Sequence, residues 1–386
     1  MNTKSDEAET DLAAGIPHIS DATLRDSAHM AGVEFGPKEA GTIAELLVRT
    51  GVDLVEVGMV SGPSSKDADL IAATHEAIGP ERSLTLVVVR DRQQVARALD
   101  EALGLGVRSV MLSIPTSERH AELKLGSPSA KHTAAVARAA IQMAKERGFH
   151  VTFSGEDGAR TPKERLVPYV TAGFAAGADR FRLAETVACL SPWQMAEVIG
   201  DLTAIDGSEI EIHSHNMLGM AVANSLAALR AGAQWVSATV GGIGERGGNA
   251  PLAELLASLR VIHGDTRFDL SNLTRLSEVA LKGAELGEAF QPGPTTPHAF
   301  AYELPGQLLH PEAYETLPPE LVGNSRGMRV RTRITPALVK WALADSDLDV
   351  DAEVFTKWLV AKQEQQRSPL LDKDAVLRAA AEFQSS

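Results

Sequence analysis

The sequence contains a single cysteine, Cys189, among its 386 residues. One cysteine excludes an internal disulfide framework and a zinc site built from several cysteines. The sequence has no uninterrupted apolar run of about 18 residues, which argues against a membrane-spanning helix. The polar and acidic segment over residues 1–15 lacks the apolar core of a signal peptide. We therefore expect a flexible N-terminal tail on a soluble, cytoplasmic protein.

Basic residues are fewer than acidic residues. The sequence has 37 lysines and arginines and 51 aspartates and glutamates, so its formal net charge is −14. This balance argues against a general nucleic-acid binder and against a protein of anionic membrane surfaces. The hydrophobic content of 44% and the charged content of 23% are ordinary for a globular protein. The predicted partners are therefore small molecules, with neither nucleic acid nor membrane among them.

Short apolar runs alternate with longer amphipathic stretches from about residue 17 onwards. Eight of these runs predict β-strands, over residues 18–24, 52–58, 83–89, 107–114, 150–155, 178–184, 209–215 and 234–240. Strict alternation of strand and helix predicts a parallel sheet, and eight such units predict a closed (β/α)₈ TIM barrel. A doubly wound open sheet is the alternative, but no Gly-rich phosphate loop follows the first predicted strand.

The alternation ends near residue 265, and the sequence divides into four predicted regions. Residues 1–15 form the tail, residues 16–268 the barrel with the catalytic site, residues 269–328 a Pro- and Gly-rich linker or lid, and residues 329–386 a small helical subdomain. The last two regions together form a mostly helical C-terminal extension, which is too small to bury much surface alone. We expect it to pack on the barrel or on a second subunit, and we expect a homodimer.

Polar residues collect at the C-terminal ends of the predicted strands, where barrels of this type carry their active sites. The candidates at these ends are Arg25, Asp26, His29, Glu56, His120, Glu156, Arg160, Thr186, His213, His215, Glu245 and Asn249. A single charged residue at a strand end is usually solvated or paired. Agreement among seven strands at one end indicates a common site.

The segment EIHSHN places Glu211, His213 and His215 on one face of a predicted strand, because strand side chains alternate. Two imidazoles and the carboxylate of Asp26 supply nitrogen and oxygen ligands for a divalent ion. The alternative is a pair of core histidines that are bonded to neighbouring backbone. The ligand types suit Mg²⁺, Mn²⁺ or Zn²⁺ and do not choose among these ions.

These motifs together resemble the DRE-TIM metallolyase superfamily, in particular its acyl-CoA-condensing branch of isopropylmalate, homocitrate and citramalate synthases. The matching segments, in order over residues 17–260, are TLRD, GVEF, GVDLVEVG, SIPTSERH, FSGEDGAR, HSHN and GIGERGGNAPLAEL. The resemblance implies that Asp26, His213 and His215 bind the metal ion, with Asn249 as a fourth or near ligand. It also implies that an acyl-CoA co-substrate, acetyl-CoA in the first instance, condenses with a 2-oxo acid to give a 2-alkylmalate-like product.

The resemblance further implies roles for individual residues. Arg25 matches the arginine that stabilises a developing oxyanion, and Glu156 matches a glutamate near the reacting centre. Thr186 matches a hydroxyl that holds the substrate carboxylate, and Tyr314 matches a tyrosine of the lid region. The remaining substrate-binding candidates are Glu56, His120 and Arg160.

Two segments depart from the pattern of the condensing branch. His29 stands where a glutamine is expected, and the related 4-hydroxy-2-oxo acid aldolases use a histidine at this position as a base. The lid segment YELPGQ keeps Glu303, but Tyr302 and Gln307 replace the two histidines of a His-Glu-x-x-x-His motif. Since glutamine cannot accept a proton at neutral pH, the usual base for the acyl-CoA is missing.

These departures keep a second function open, a metal-dependent carbon–carbon lyase of the 4-hydroxy-2-oxo acid aldolase or HMG-CoA lyase type with His29 as its base. A non-catalytic role is disfavoured, because Arg25 and all the candidate metal ligands are retained together.

Overall fold

A computed structural model describes residues 12, 15–62, 65–287, 290, 292–293, 296, 298–322, 324–331, 333–366 and 370–385. Most of the predicted tail, residues 1–11 and 13–14, lies outside the described residues. Eight parallel strands close into a barrel in sequence order, which confirms the predicted fold. The strands are β1 (His18–Leu24), β2 (Leu54–Val60), β3 (Ser83–Val88), β4 (Ser109–Pro115), β5 (His150–Glu156), β6 (Arg180–Glu185), β7 (Ile210–Ser214) and β8 (Trp235–Ala238).

Ten helices of the described chain follow or connect these strands. They are α1 (Pro37–Thr50), α2 (Ala68–Ile78), α3 (Arg92–Gly104), α4 (Glu118–Leu125), α5 (Ala130–Glu146), α6 (Lys163–Ala175), α7 (Pro192–Thr203), α8 (Ala221–Arg230), α9 (Leu252–His263) and α10 (Leu273–Gly283). Local sequence sets several of their ends. The side chains of Asp91 and Ser129 accept hydrogen bonds from first-turn N–H groups of α3 and α5. Gly51 ends α1 with a φ of 102°, a left-handed conformation that favours glycine.

The predicted strands agree with the observed ones within two residues at either end. The second predicted strand began two residues early, at Val52. This valine is buried in the core but belongs to the turn after α1, and its apolar character alone cannot distinguish the two positions.

The interior of the barrel changes from apolar to polar towards the C-terminal ends of the strands. An apolar cluster fills the interior with Leu54, Leu84, Leu86, Met111 and Trp235. Nearer the C-terminal ends, Ser113, Ser154, Arg182 and Glu211 lie in register across β4, β5, β6 and β7. This polar layer forms the floor beneath the candidate site.

The chain beyond the barrel forms the lid and the C-terminal helices. Its elements are β9 (Ala301–Tyr302), α11 (Pro305–Leu309), α12 (Pro311–Tyr314), β10 (Gly327–Met328), α13 (Pro336–Leu343), α14 (Ala352–Gln366) and α15 (Lys373–Gln384). The hydrophobic core of the barrel includes Leu276 and Ala284, which lie beyond residue 268, the predicted end of the barrel region. A second core joins Tyr302 and Leu308 of the lid to Leu338 and Phe355 of the C-terminal helices. Within the described chain, no helix is both long enough and apolar enough to cross a membrane.

Candidate active site

A cavity of about 310 Å³ opens at the C-terminal ends of the barrel strands. Most of the predicted site residues line it, namely Arg25, Asp26, His29, Glu156, Thr186, His213, His215 and Tyr314. Glu245 also lines the cavity, whereas Glu56, His120, Arg160 and Asn249 do not. The barrel therefore brings the predicted residues to one place, although some of them contact other protein groups and not the cavity.

Asp26, His213 and His215 come together at the cavity wall. One ligand atom of each lies within 4.8 Å of the others, and Nε2 of His213 is 3.7 Å from Oδ1 of Asp26. Asn249 donates from Nδ2 to Oδ2 of Asp26 at 2.7 Å, and its buried Oδ1 has no hydrogen-bond partner among the described residues. A buried amide oxygen without a partner costs free energy. This set of nitrogen and oxygen acceptors therefore fits a divalent ion.

Neighbouring groups hold both histidines in the tautomer that a metal ion requires. The hydroxyl of Ser237 donates to Oε1 of Glu56 at 3.1 Å, so it accepts from Nδ1 of His213 at 3.0 Å. The backbone carbonyl of Glu245 accepts from Nδ1 of His215 at 3.2 Å. Nε2 of each ring consequently carries the lone pair. Burial lowers the pKa of both histidines to about 3, so both imidazoles are neutral.

Arg246, in the Gly-rich loop after β8, supports the same assignment. Its backbone is left-handed, with a φ of 52°. Its Nη2 donates to Nε2 of His215 at 2.7 Å, and its Nε donates to the carbonyl oxygen of Thr186 at 2.9 Å. The hydroxyl of Thr186 accepts from the backbone N–H of Asp157 at 2.9 Å, and among the described residues no acceptor takes its own hydrogen.

Arg25 lies between two carboxylates. Its Nε and Nη2 donate to Oε2 of Glu56 at 2.9 and 2.6 Å, and its Nη1 pairs with Oδ1 of Asp26. Burial alone would raise the pKa of Asp26, but the Arg25 guanidinium holds that pKa well below its ordinary value. Asp26 is therefore ionised, and Arg25 supplies a fixed positive charge where a developing oxyanion could be stabilised.

A buried charge network supports Arg25 from below. Nη2 of Arg182 donates to Oε1 of Glu56 at 2.5 Å and to Oε1 of Glu211 at 2.7 Å, and Ser20 donates to the same oxygen of Glu211 at 2.5 Å. Burial opposes ionisation of Glu56, but Arg182 and Arg25 hold its pKa below the ordinary value. Arg182 is not among the residues predicted from the sequence. Its signal was the alternating pattern RFRL, which places Arg180 and Arg182 on one face of the predicted strand.

Glu156 ends β5 and is held by two groups. It accepts from Nδ1 of His120 at 2.8 Å, and both of its oxygens accept from Nζ of Lys124 at 2.6 Å. Burial would raise the pKa of Glu156, but Lys124 and His120 hold it below the ordinary value. The ring of Tyr314 lies 4.8 Å from the ring of His120, centre to centre. Lys124 lines the cavity from the polar helix α4, whose sequence gives no sign that this lysine turns inward.

Two of the predicted substrate-binding residues, His120 and Arg160, form hydrogen bonds with the lid. The carbonyl oxygen of Ala313 accepts from Nη2 of Arg160 at 2.6 Å and from Nε2 of His120 at 3.0 Å. Asp157 holds Arg160 through two further hydrogen bonds, at 2.7 and 2.9 Å. The structure thus places His120 and Arg160 against α12 and not at the cavity surface.

His29 lies beside a carboxylate that the lid orients. One atom each of His29, Glu245 and Asp26 falls within 4.8 Å of the other two. Gln307 donates from Nε2 to Oε2 of Glu245 at 2.7 Å, and Arg246 pairs with the other oxygen of Glu245. The glutamine that replaces the expected histidine therefore orients a carboxylate next to His29.

Comparison with known proteins places these observations in a family. A family model described as HMGL-like matches residues 17–280. 2-Isopropylmalate synthase 2 of Caldanaerobacter subterraneus subsp. tengcongensis is 34% identical over 319 residues, which cover 80% of this chain and 80% of that protein. 2-Phosphonomethylmalate synthase of Streptomyces rubellomurinus is 33% identical over 346 residues, 87% of this chain and 90% of that protein.

Some relatives are longer than this chain. 2-Isopropylmalate synthase of Methanocaldococcus jannaschii is 35% identical over 349 residues, and the match spans 88% of this chain but only 66% of that protein. Among solved structures, the HMG-CoA lyase from Brucella melitensis matches with a TM-score of 0.60 at 18% identity, covering 70% of this chain and 99% of that chain. At this identity the likeness supports the barrel fold and no particular activity.

Proposed function

The chain belongs to the HMGL-like family, in the condensing branch of the DRE-TIM metallolyases, and we propose that it is a divalent-metal-dependent acyltransferase. It joins an acyl-CoA, which we take to be acetyl-CoA, to a 2-oxo acid and gives a 2-alkylmalate-like product. The cluster of Asp26, His213 and His215 beside the unpartnered oxygen of Asn249 carries the proposal. The relatives named as synthases support the reaction class.

We assign the ion, Mg²⁺, Mn²⁺ or Zn²⁺, to Asp26, His213, His215 and Asn249. When bound there, it supplies a Lewis acid that polarises the keto carbonyl of the 2-oxo acid. Arg25, which Glu56 fixes in place, stabilises the negative charge that grows on the keto oxygen as the carbon–carbon bond forms. The free hydroxyl hydrogen of Thr186 is available to the substrate carboxylate.

The methyl group of acetyl-CoA must lose a proton before it attacks the keto carbon. We assign this proton transfer to His29, because its imidazole lies beside Asp26 and the carboxylate of Glu245. Glu245, oriented by Gln307, stabilises the imidazolium that forms. Glu156 and Tyr314 line the same cavity, and we assign them to positioning the reactants. Hydrolysis of the thioester then releases CoA and drives the reaction forward.

The release of free CoA thiol tests the proposed function. Purified protein is mixed with Mn²⁺ or Mg²⁺, acetyl-CoA and each of a panel of 2-oxo acids. We expect release that requires both the metal ion and one of the 2-oxo acids, and we expect Asp26→Asn to reduce the rate by about 100-fold or more. Asp206→Asn, which changes an exposed aspartate, is the matched control. Protein that binds Mn²⁺ but releases no CoA with any panel member would contradict the proposal.

The position of His29 favours a carbon–carbon lyase as the second candidate function. Such an enzyme cleaves a 4-hydroxy-2-oxo acid or an HMG-CoA-like thioester, with a base beside the metal cluster. The products separate the two candidates. The acyltransferase releases free CoA thiol, whereas the lyase releases acetyl-CoA or pyruvate and no thiol.

A further inference from the structure

The barrel interior below the metal cluster carries polar groups that the proposed mechanism does not use. Ser113 on β4, Ser154 on β5 and Arg182 on β6 are direct neighbours in the register of the sheet. All three residues line the cavity. We call them the polar row.

The polar row has unused hydrogen-bond donors. Arg182 is only 1% exposed, and its two ion pairs, to Glu56 and Glu211, both use Nη2. Its Nε and Nη1 have no hydrogen-bond partner among the described residues. The side-chain hydroxyls of Ser113 and Ser154 form no hydrogen bond with any described residue. The backbone carbonyl of Ser154 accepts a hydrogen bond from Tyr169. Buried donors without acceptors are rare in native proteins and call for an explanation, such as a bound ligand.

The depth of the row suits the far end of a short substrate. Arg182 precedes Ala184 by two residues, and Ala184 is in register with His213 of the metal cluster. Two residues along a tilted strand place the backbone of the row about 5 Å deeper in the barrel than the backbone of His213. Met59, Leu86 and Met111 also line this part of the cavity. These side chains can pack against the methylene groups of a substrate. They have no hydrogen-bond donors, so an anionic group would have to bind to the polar row.

We propose, on the basis of the function proposed above, that the polar row binds a carboxylate or phosphonate at the end of the substrate side chain. The substrate is then a 2-oxo acid with two anionic groups, one at the metal cluster and one at Arg182. One unpaired guanidinium donor of Arg182, Nε or Nη1, donates to an oxygen of the anion, and Ser113 and Ser154 donate to the same group. A methyl or isopropyl side chain would leave these donors unpaired, and a site built for hydrogen bonds rejects such analogues strongly.

Comparison of substrates tests the inference with the enzyme as it stands. The Mn²⁺-loaded protein is assayed with acetyl-CoA and, in turn, oxaloacetate, 2-oxoglutarate, 3-phosphonopyruvate, pyruvate and 2-oxoisovalerate. We expect at least one of the first three acids to exceed both of the last two by about 100-fold in kcat/KM. The order among the first three distinguishes a carboxylate from a phosphonate. Preference for pyruvate or 2-oxoisovalerate would overturn the inference.

Two variants test the row itself. Arg182→Lys keeps a positive charge for Glu56 and Glu211 but removes the unpaired Nε and Nη1 donors, and Ser154→Ala removes one hydroxyl. We expect each to lower kcat/KM for the dianionic acid about tenfold or more relative to 2-oxoisovalerate. Arg97→Lys is the control, because Arg97 is an exposed arginine of α3 that does not line the cavity.

Circular dichroism shows whether Arg182→Lys folds. If it does not, Ser154→Ala still tests the polar row. An unchanged preference in Ser154→Ala, or in a folded Arg182→Lys protein, would overturn the assignment of the polar row.

Calorimetric titration separates this inference from the proposed function. The same 2-oxo acids are titrated into Mn²⁺-loaded protein without acetyl-CoA. Binding of a dianionic acid that Arg182→Lys or Ser154→Ala weakens about tenfold, without CoA release in the assay, would support the polar row and reject the acyltransferase. CoA release with monoanionic acids alone would support the acyltransferase and reject the polar row.

Discussion

At the scale of single residues, the site depends on side chains that never reach the cavity. Ser237 connects His213 to Glu56 and determines which nitrogen of the imidazole keeps its lone pair. Glu56 in turn holds Arg25. These contacts orient the candidate ligand and the candidate oxyanion-stabilising group before any substrate arrives.

Ser237→Ala should weaken metal binding. The substitution removes the acceptor for Nδ1 of His213, so the ring loses its fixed tautomer and orientation. We expect a loss of about tenfold in Mn²⁺ affinity, measured by titration of the purified protein. Ser109→Ala, at the N-terminal end of β4, is a control that should leave the affinity unchanged. Equal Mn²⁺ affinity in wild type and Ser237→Ala would contradict this role.

Asp21 should make stability depend on pH. Its carboxyl group is fully buried, Oδ1 accepts from the backbone N–H of Thr23 at 2.9 Å, and Oδ2 has no partner among the described residues. Burial raises its pKa to about 7. The folded protein therefore keeps a proton that the unfolded chain loses near pH 4, and this contribution to stability is lost as the pH rises towards 7.

The comparison of wild type with Asp21→Asn measures this effect. The free energy of unfolding of the variant minus that of wild type should increase by up to ~1.4 kcal/mol per pH unit between pH 4 and 7. This difference should stay constant above pH 7. Urea unfolding at several pH values provides the measurement. A difference that stays constant across this range would show that Asp21 does not titrate as described.

The sequence predicted some site residues and missed others for a physical reason. His213, His215 and Asp26 were predictable because strand alternation and the strand ends of a barrel fix where such side chains go. Lys124 was missed, since the polar sequence of α4 does not tell which of its charged residues turns inward. Arg182 was missed because its partners Glu56 and Glu211 come from distant strands.

At the scale of structural elements, two of the polar contacts between the lid and the barrel meet at one carbonyl. Arg160 and His120 both donate to the oxygen of Ala313, next to Tyr314 of α12. The alternation of strands and helices was enough to predict the barrel. The course of the lid was not predictable, because its short elements pack through contacts between residues far apart in the sequence.

Arg160→Ala should loosen the lid without affecting the metal cluster. The loss of a hydrogen bond from a charged donor costs about 1.5–3 kcal/mol, so we expect kcat/KM to fall about tenfold or more. Mn²⁺ affinity should stay the same, and limited proteolysis within residues 303–318 should become faster. Lys163→Ala, which removes a surface ion pair with Asp201, is the control. Unchanged proteolysis and activity in Arg160→Ala would contradict the role of this contact.

At the scale of the whole molecule, the chain combines a barrel that carries the candidate chemistry with an extension that has its own small core. The pairing of Tyr302 and Leu308 with the C-terminal helices places the lid and these helices in one packed unit. The sequence predicted that an extension exists. It could not predict that α10 would join the barrel core, because Leu276 and Ala280 look the same in either setting.

We expect the protein to act as a homodimer, as the small extension suggested. Light scattering on the purified protein should give a mass of twice the 41.0 kDa of one chain. A mass equal to one chain across the micromolar range would reject this expectation.

The fate of the acetyl carbon tests the central claim most directly. The protein is incubated with Mn²⁺, acetyl-CoA labelled with ¹³C at the methyl carbon, and the 2-oxo acid that releases CoA fastest, and the products are followed by ¹³C NMR. We predict that the label moves from the methyl signal to a methylene carbon bonded to a new tertiary alcohol carbon, and that Asp26→Asn slows the growth of this signal about 100-fold or more. Label that stays in acetyl-CoA, or that appears only in free acetate, would contradict the formation of a carbon–carbon bond at this site.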